Sequence, residues 1–255
     1  MKTFSKILFL FMIAVTSYGT VLAGNSDETQ TRQVSGFNAI KVSTGIDLYL
    51  TMGNTEEVKV VADDDIIDDL KTEVEGGTLK IYMKRNNWFN WGSGNQTRKV
   101  YVTVKELKER SASSGADVES TNTREGESVD VRCSSGSDLK IEVYYKNLSV
   151  DTSSGSDSKI RGKVKTLRVE ASSGSDIKAG DLESAICYAN ASSGSDITVS
   201  VSSELYAHAS SGSDITVTVT DELYARASSG SDIKYYGNPQ IRDTDESSGG
   251  DVRHR

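Results

Sequence analysis

One proline, two histidines and two cysteines are spread over 255 residues, and each scarcity closes off a class of protein. A single proline against 22 glycines suits many tight turns better than a few long helices. His208 and His254 are the whole supply of imidazole. One reads as an outward strand position and the other lies in the tail, so no Ser/His/Asp constellation is assembled around either. Positive charge is also short, with 29 basic residues facing 37 acidic ones, which makes nucleic acid an unexpected partner. Beyond the first 24 residues no apolar run is long enough to span a bilayer.

The opening "MKTFSKILFLFMIAVTSYGTVLAG" does contain an apolar run. Lys2 and Lys6 precede it and Val21-Leu22-Ala23 closes it, the pattern of a signal peptide over residues 1–23 cleaved before Gly24. A membrane anchor is the alternative reading, but Ile7 to Val15 is short and the polar residues between Ser17 and Thr20 interrupt it. No cysteine stands at the cleavage site, which argues against a lipoprotein. The expected product is exported, to the periplasm, the outer surface or the medium, with no transmembrane segment after cleavage and 27 basic against 37 acidic residues.

What the chain has in abundance is one pentapeptide. Ser-Ser-Gly-Ser-Asp, or a close variant, begins at Ser113, Ser134, Ser153, Ser172, Ser192, Ser210, Ser228 and Ser247, in steps of 18 to 21 residues. A period near twenty means units too small to bury an apolar face alone, which must stack on their neighbours. Leu205, Ala207 and Ala209 before one turn, and Ile215, Val217 and Val219 after it, alternate with polar residues. Period two is the mark of half-buried strands. Each unit therefore reads as strand, tight turn, strand and a looser turn such as Thr220-Asp221-Glu222, in a flattened two-sheet coil of about 18–21 residues.

A turn that reverses the chain within four residues, with identical turns above and below, calls for small side chains. Gly136, Gly155, Gly174, Gly194, Gly212 and Gly230 are the structural turn residues, free to take positive φ. The aspartate that follows each turn should form a column, in which carboxylates ~5 Å apart repel by about 1 kcal/mol in water. Serine hydroxyls, turn amides and Lys140, Lys159, Lys178 and Lys234, two residues on, are the expected compensation. Calcium is the alternative, although the spacing departs from the nonapeptide calcium solenoids, and neither metal nor cofactor is expected. Cys133 and Cys187 occupy different inward columns three coils apart. At about 4.8 Å per coil that is roughly 14 Å, beyond the ~7 Å reach of a disulfide, so two buried free thiols are expected.

Residues 24–112 are less regular. "FNAIKVSTGIDLYL", "EEVKVVA", "GTLKIYM" and "RKVYVTV" alternate without the short motif, as larger coils that begin the solenoid which 113–255 continues. "DDDIIDDLKTEV" reads as a short helix with Ile66, Ile67, Leu70 and Val74 on its apolar face and aspartates at its positive N-terminal end. The opening "FNAIKVSTGIDLYLTMG", the "GGTLKIYM" hairpin and the serial Ser-Gly-Ser-Asp turns resemble the autotransporter-adhesin head domain of Bacteroidetes and relatives, a domain of unknown function. The resemblance runs from about Gly36 to Val252 and implies a right-handed parallel β-solenoid, related in shape to pectin lyases. The family often has a proline where Lys105-Glu106 stands here. Adhesion is implied by the family's label alone, with no residue to carry over.

Function is therefore read as a non-enzymatic adhesion or interaction module, with a glycan or a surface protein as the unknown partner. A periplasmic structural or envelope scaffold is the alternative. A glycan-active enzyme comes third, since it would need one coil to depart from the pattern by a cluster of unlike polar groups, and none stands out. One segment departs in another way: "NNWFNWGSGNQTR" holds both tryptophans. Trp88, Phe89 and Trp91 either cap the solenoid end or are presented to a ligand, and they are the candidate contact residues.

Overall fold

The computed structural model describes residues 26–84, 96–122 and 125–255. They form an all-β parallel solenoid of about eight turns, without a helix. The expected leader, residues 1–23, lies outside the described residues.

Nine strands make the N-terminal part: β1 (Asp27–Arg32), β2 (Ala39–Val42), β3 (Asp47–Met52), β4 (Glu57–Asp63), β5 (Leu70–Glu75), β6 (Thr78–Met83), β7 (Arg98–Val104), β8 (Glu109–Ala112) and β9 (Asp117–Ser120). Their stacking order is not their chain order. β2 lies between β6 and β8, and β3 between β7 and β9, all in parallel. The outermost coil is thus β6 with β7, and three antiparallel strands close it: β5 on β6, β4 on β7 and β1 on β4. Antiparallel caps remove the open parallel edge that would otherwise template aggregation.

The regular part is β10 (Glu125–Ser134), β11 (Asp138–Ser153), β12 (Asp157–Ser172), β13 (Asp176–Ser192), β14 (Asp196–Ser210), β15 (Asp214–Val219), β16 (Glu222–Ser228), β17 (Asp232–Tyr236), β18 (Gln240–Ser247) and β19 (Asp251–His254). At 15 to 17 residues, β11 to β14 run from one face of the coil onto the other, bending where a looser turn was expected. Strands before the tight turn form one face and strands after it the opposite face. Inward residues stack in columns such as Leu148, Leu167, Cys187, Leu205 and Leu223, all buried. Each such side chain contributes roughly 1.5–3 kcal/mol over an exposed one. In the last coil the inward columns turn polar: Thr244 follows Ala225 and Glu246 follows Ala227.

The tight turn differs from its expected chemistry in two respects. Its glycines do take positive φ, 68° to 72° at the six named positions, but a Cβ there would meet nothing within 4 Å. Backbone conformation alone selects glycine, and crowding plays no part. The serine before each glycine is left-handed as well, with φ between 49° and 59° from Ser114 to Ser248. Two successive positive φ values and the Ala116 N–H to Ser113 carbonyl bond of 3.3 Å are the pattern of a type I′ turn. A non-glycine residue in that region costs roughly 1–2 kcal/mol. Compensation comes from the next coil, because Gly136 N–H donates to the Ser154 carbonyl at 3.1 Å and Gly155 N–H to Ser173 at 3.1 Å, and so on along the stack.

The fourth turn residue points inward. Ser137, Ser156, Ser175, Ser195, Ser213 and Ser231 are fully buried. The Ser175 hydroxyl accepts from Ser172 N–H at 3.1 Å and donates to the Thr152 carbonyl of the preceding coil at 2.8 Å, and Ser195 repeats this. The turn serines therefore satisfy the backbone and not the aspartates.

Two further expectations change. The segment around Ile66 and Ile67 forms consecutive turns, and Leu70 to Glu75 is strand β5 instead of helix. The Gly76-Gly77 turn, both at positive φ, folds β5 back on β6, which makes strand the better use of Thr72 and Val74. Arg32 reaches the carbonyls of Ile67 and Leu70 at 2.9 and 3.3 Å, so these groups bond outside any helix. The first half also contains the motif: Ser43-Thr44-Gly45-Ile46-Asp47 is a ninth turn, with Thr44 and Gly45 at φ 66° and 63° and Gly45 N–H bonded to the Ser114 carbonyl. Cys133 and Cys187 are buried free thiols, as their register implies. Burial pushes both thiols up, away from reactivity.

Candidate binding faces

With the core filled, chemistry is left to the two outer faces. On the face after the tight turn, Asp47, Asp117, Asp138, Asp157, Asp176, Asp196, Asp214, Asp232 and Asp251 are successive register partners. Their amides are tied to the stack, as in Asp157 N–H to the Ser137 carbonyl at 3.2 Å. Lysine relieves only part of the column. Lys178 bridges Asp157 and Asp176 at 3.6 and 3.3 Å, and Lys234 bridges Asp214 and Asp232 at 3.0 and 3.8 Å. Lys140 turns instead to Glu119 at 2.7 Å, and no ion pair to Lys159 occurs among the described residues. Asp117 shows the strain: burial, then Asp138 and Asp47, push its carboxyl above the usual range, against a bond from Asp138 N–H. Asp196 is raised by burial and by Asp176 and Asp214.

A groove of 420 Å³ runs between this column and the next outward row. Asp47, Asp117, Asp138 and Asp157 line one side, Glu119, Lys140, Lys159 and Lys178 the other, and Tyr49 stands at the N-terminal end of that second row. Tyr49 stacks on Tyr101 with centroids 5.0 Å apart, and Lys59 lies over Tyr101 at 5.8 Å. The groove thus offers rows of both charges at the coil spacing, with one aromatic ring at its end. Among the described residues no group of three or more His, Cys, Asp or Glu side chains is arranged to hold a metal ion.

The opposite face carries a second aromatic row. Tyr188, Tyr206 and Tyr224 are stacked with centroids 5.0 and 4.6 Å apart, beside Asn190, His208 and Arg226. The Tyr206 hydroxyl donates to Glu204 at 3.0 Å, which, with some burial, pushes its pKa up to about 12. Repetition of "ELYA" at one offset was the signal in the sequence for Tyr206 and Tyr224. Nothing local marks Tyr49 as the partner of Tyr101. His208 is exposed on its strand. Trp88, Phe89 and Trp91 lie outside the described residues, between the ends of β6 and β7.

A family model described as "Putative auto-transporter adhesin, head GIN domain" matches residues 36–218. No curated protein is similar enough in sequence to match. Three solved structures described as a "putative adhesin" share the fold. One from Parabacteroides distasonis has a TM-score of 0.77 at 18% identity, covering 91% of this chain and 98% of that one. Another, from Parabacteroides merdae, has 0.75 at 18%, covering 90% and 96%. A third, from Bacteroides fragilis, has 0.71 at 19%, covering 91% and 98%. At these identities the likeness is one of fold.

Proposed function

We propose that this chain, which belongs to the auto-transporter adhesin head-domain family, is an exported, non-enzymatic module that attaches to a glycan or protein surface through its outer faces. The observation carrying this reading is the groove that ends at Tyr49, where carboxylates recur at every coil and ammonium groups at the three coils of Lys140, Lys159 and Lys178. A linear partner with a repeating polar backbone meets an aspartate at each coil and a lysine at three successive coils. A stacked ring suits the apolar face of a sugar. Weak contacts multiplied along a stack give attachment without a deep pocket. Among the described residues the acids and lysines of the groove are exposed or half-buried, open to solvent, which supports binding over catalysis.

The test is binding of the purified mature protein to glycan arrays and to cell surfaces, compared with Tyr49→Ala and Lys159→Ala. Loss of roughly tenfold or more in either variant, with an unchanged melt, supports the groove. Equal binding by all three proteins removes it. Protease shaving of intact cells separates a surface module from the periplasmic scaffold reading: a protected protein excludes the former.

A further inference from the structure

The face before the tight turn differs in chemistry from the charged groove. Tyr188, Tyr206 and Tyr224 follow one another in register, with Arg168 in the coil before them and Asp243 in the coil after. Two residues on, Asn190, His208 and Arg226 form the parallel row, between Glu170 and Asp245. Charges toward the ends of these rows engage each other: Arg168 pairs with Glu170, Arg226 with Asp243 at 3.3 Å, and Arg242 with Glu222. The middle of the two rows holds no Asp, Glu, Lys or Arg. Tyr188, Asn190 and His208 are exposed there, and none of their side chains makes a hydrogen bond among the described residues.

The aromatic part of this patch is held in place. Tyr206 stacks on its two neighbours with centroids 5.0 and 4.6 Å apart and ring planes 11° and 10° from parallel. Its phenol and that of Tyr224 donate to Glu204 and Glu222 at 3.0 and 3.4 Å. Tyr188 ends the ladder: one ring face lies on Tyr206, and no ring or cation covers the other among the described residues. The residue is 40% exposed. A ring already fixed by a stack loses little rotamer freedom when a ligand settles on it.

An immobilised aromatic face beside an amide and an imidazole suits a neutral sugar, whose C–H side packs on the ring while its hydroxyls bond groups that donate and accept. Ions are less welcome. Glu204, which has no ion pair among the described residues, stands two residues before Tyr206 and repels an acidic chain. Arg168 and Arg226 border the patch against a cationic one. The rows repeat at the coil spacing of about 4.8 Å, close to the length of one pyranose in an extended chain.

We propose that Tyr188, Asn190 and His208 bind a neutral, extended glycan lying along the solenoid axis. Tyr188 receives the apolar side of one sugar, Asn190 and His208 bond hydroxyls of that sugar and its neighbour, and Tyr206 and Tyr224 are positioning residues that hold the Tyr188 ring. The proposal rests on the attachment reading above and gives the face opposite the groove its own ligand class.

Titration calorimetry with the neutral β-linked hexasaccharides cellohexaose, xylohexaose and mannohexaose tests it, with hexagalacturonate as the acidic control. At least one neutral hexamer is expected to bind at millimolar concentration or below, and hexagalacturonate about tenfold more weakly or not at all. Tyr188→Ala and His208→Ala are each expected to weaken the neutral binding about tenfold, at an unchanged melting temperature because both side chains are exposed. Tyr49→Ala, in the groove, is expected to leave it unchanged. Should Tyr188→Ala alter the melt, His208→Ala and Asn190→Ala decide. Binding of none of the neutral hexamers, equal binding of hexagalacturonate, or full binding by these variants overturns the proposal. Neutral binding that only Tyr49→Ala weakens assigns the glycan to the groove, so that the attachment reading stands and this site does not.

Discussion

Asp47 and Asp117 are register partners on adjacent coils, although β4 to β8 separate them in the chain. Asp138 continues the row, so Asp117 has a carboxylate on either side. Burial and these neighbours raise its folded pKa. A group raised on folding stabilises the fold in its protonated form: the contribution is complete below the unfolded value near 3.9 and is lost as pH rises through the folded value. At neutral pH Asp117 therefore opposes folding.

Asp117→Asn removes the charge and keeps an oxygen to accept from Asp138 N–H. It is expected to raise the melting temperature at pH 7, with the advantage shrinking as pH falls toward about 4. Melts across that range check it; an advantage that is absent at pH 7, or that grows in acid, contradicts the repulsive column.

The glycines sort by cause. Gly212 has φ 69° and open space around a Cβ, so Gly212→Asn is expected to cost little, whereas Gly212→Val should lose on the order of 1 to 3 kcal/mol. Gly162 has φ 121°, and a Cβ there would lie 2.0 Å from the Val143 carbonyl oxygen. Gly162→Ala is therefore expected to cost more than Gly212→Ala. Denaturant melts of the four variants give the order.

Coil interchangeability has a direct test. Deleting residues 192–209 joins Ala191 to Ser210, the step made by the register pairs Ala191 with Ala209 and Ser192 with Ser210. The shortened protein is expected to stay β-rich by circular dichroism and to melt cooperatively at a lower temperature. A nine-residue deletion turns strands the wrong way in and should unfold it. If both deletions behave alike, the coil register is not what holds the stack.

Replacing Trp88, Phe89 and Trp91 by alanine distinguishes the two readings of the aromatic segment. As ligand contacts they are expected to cost attachment about 1 to 3 kcal/mol each at constant melting temperature. As an end cap they would cost stability, about 3 to 5 kcal/mol for each buried ring. Binding and melting measured on the same triple variant separate these outcomes.

The Ser-Ser-Gly-Ser-Asp period and the alternation around it were enough to determine the coil, its two faces, the inward columns, the separation of Cys133 from Cys187 and the aspartate row. Those are local shape conditions restated at every coil, so one unit describes them all. Only the tertiary structure decided where the rule is broken. Ser43 to Asp47 became a ninth turn because β2 and β3 slot between later strands, a placement that no short-range pattern encodes. Leu70 to Glu75 became strand because β6 was there to pair with it. The buried serines turned away from the aspartates because the backbone groups inside each turn had no other partner. Arg110 reads singly as an ordinary strand position; its burial in an inward column between Ile40 and Val131 depends on β2 and β10, strands distant in sequence, flanking β8.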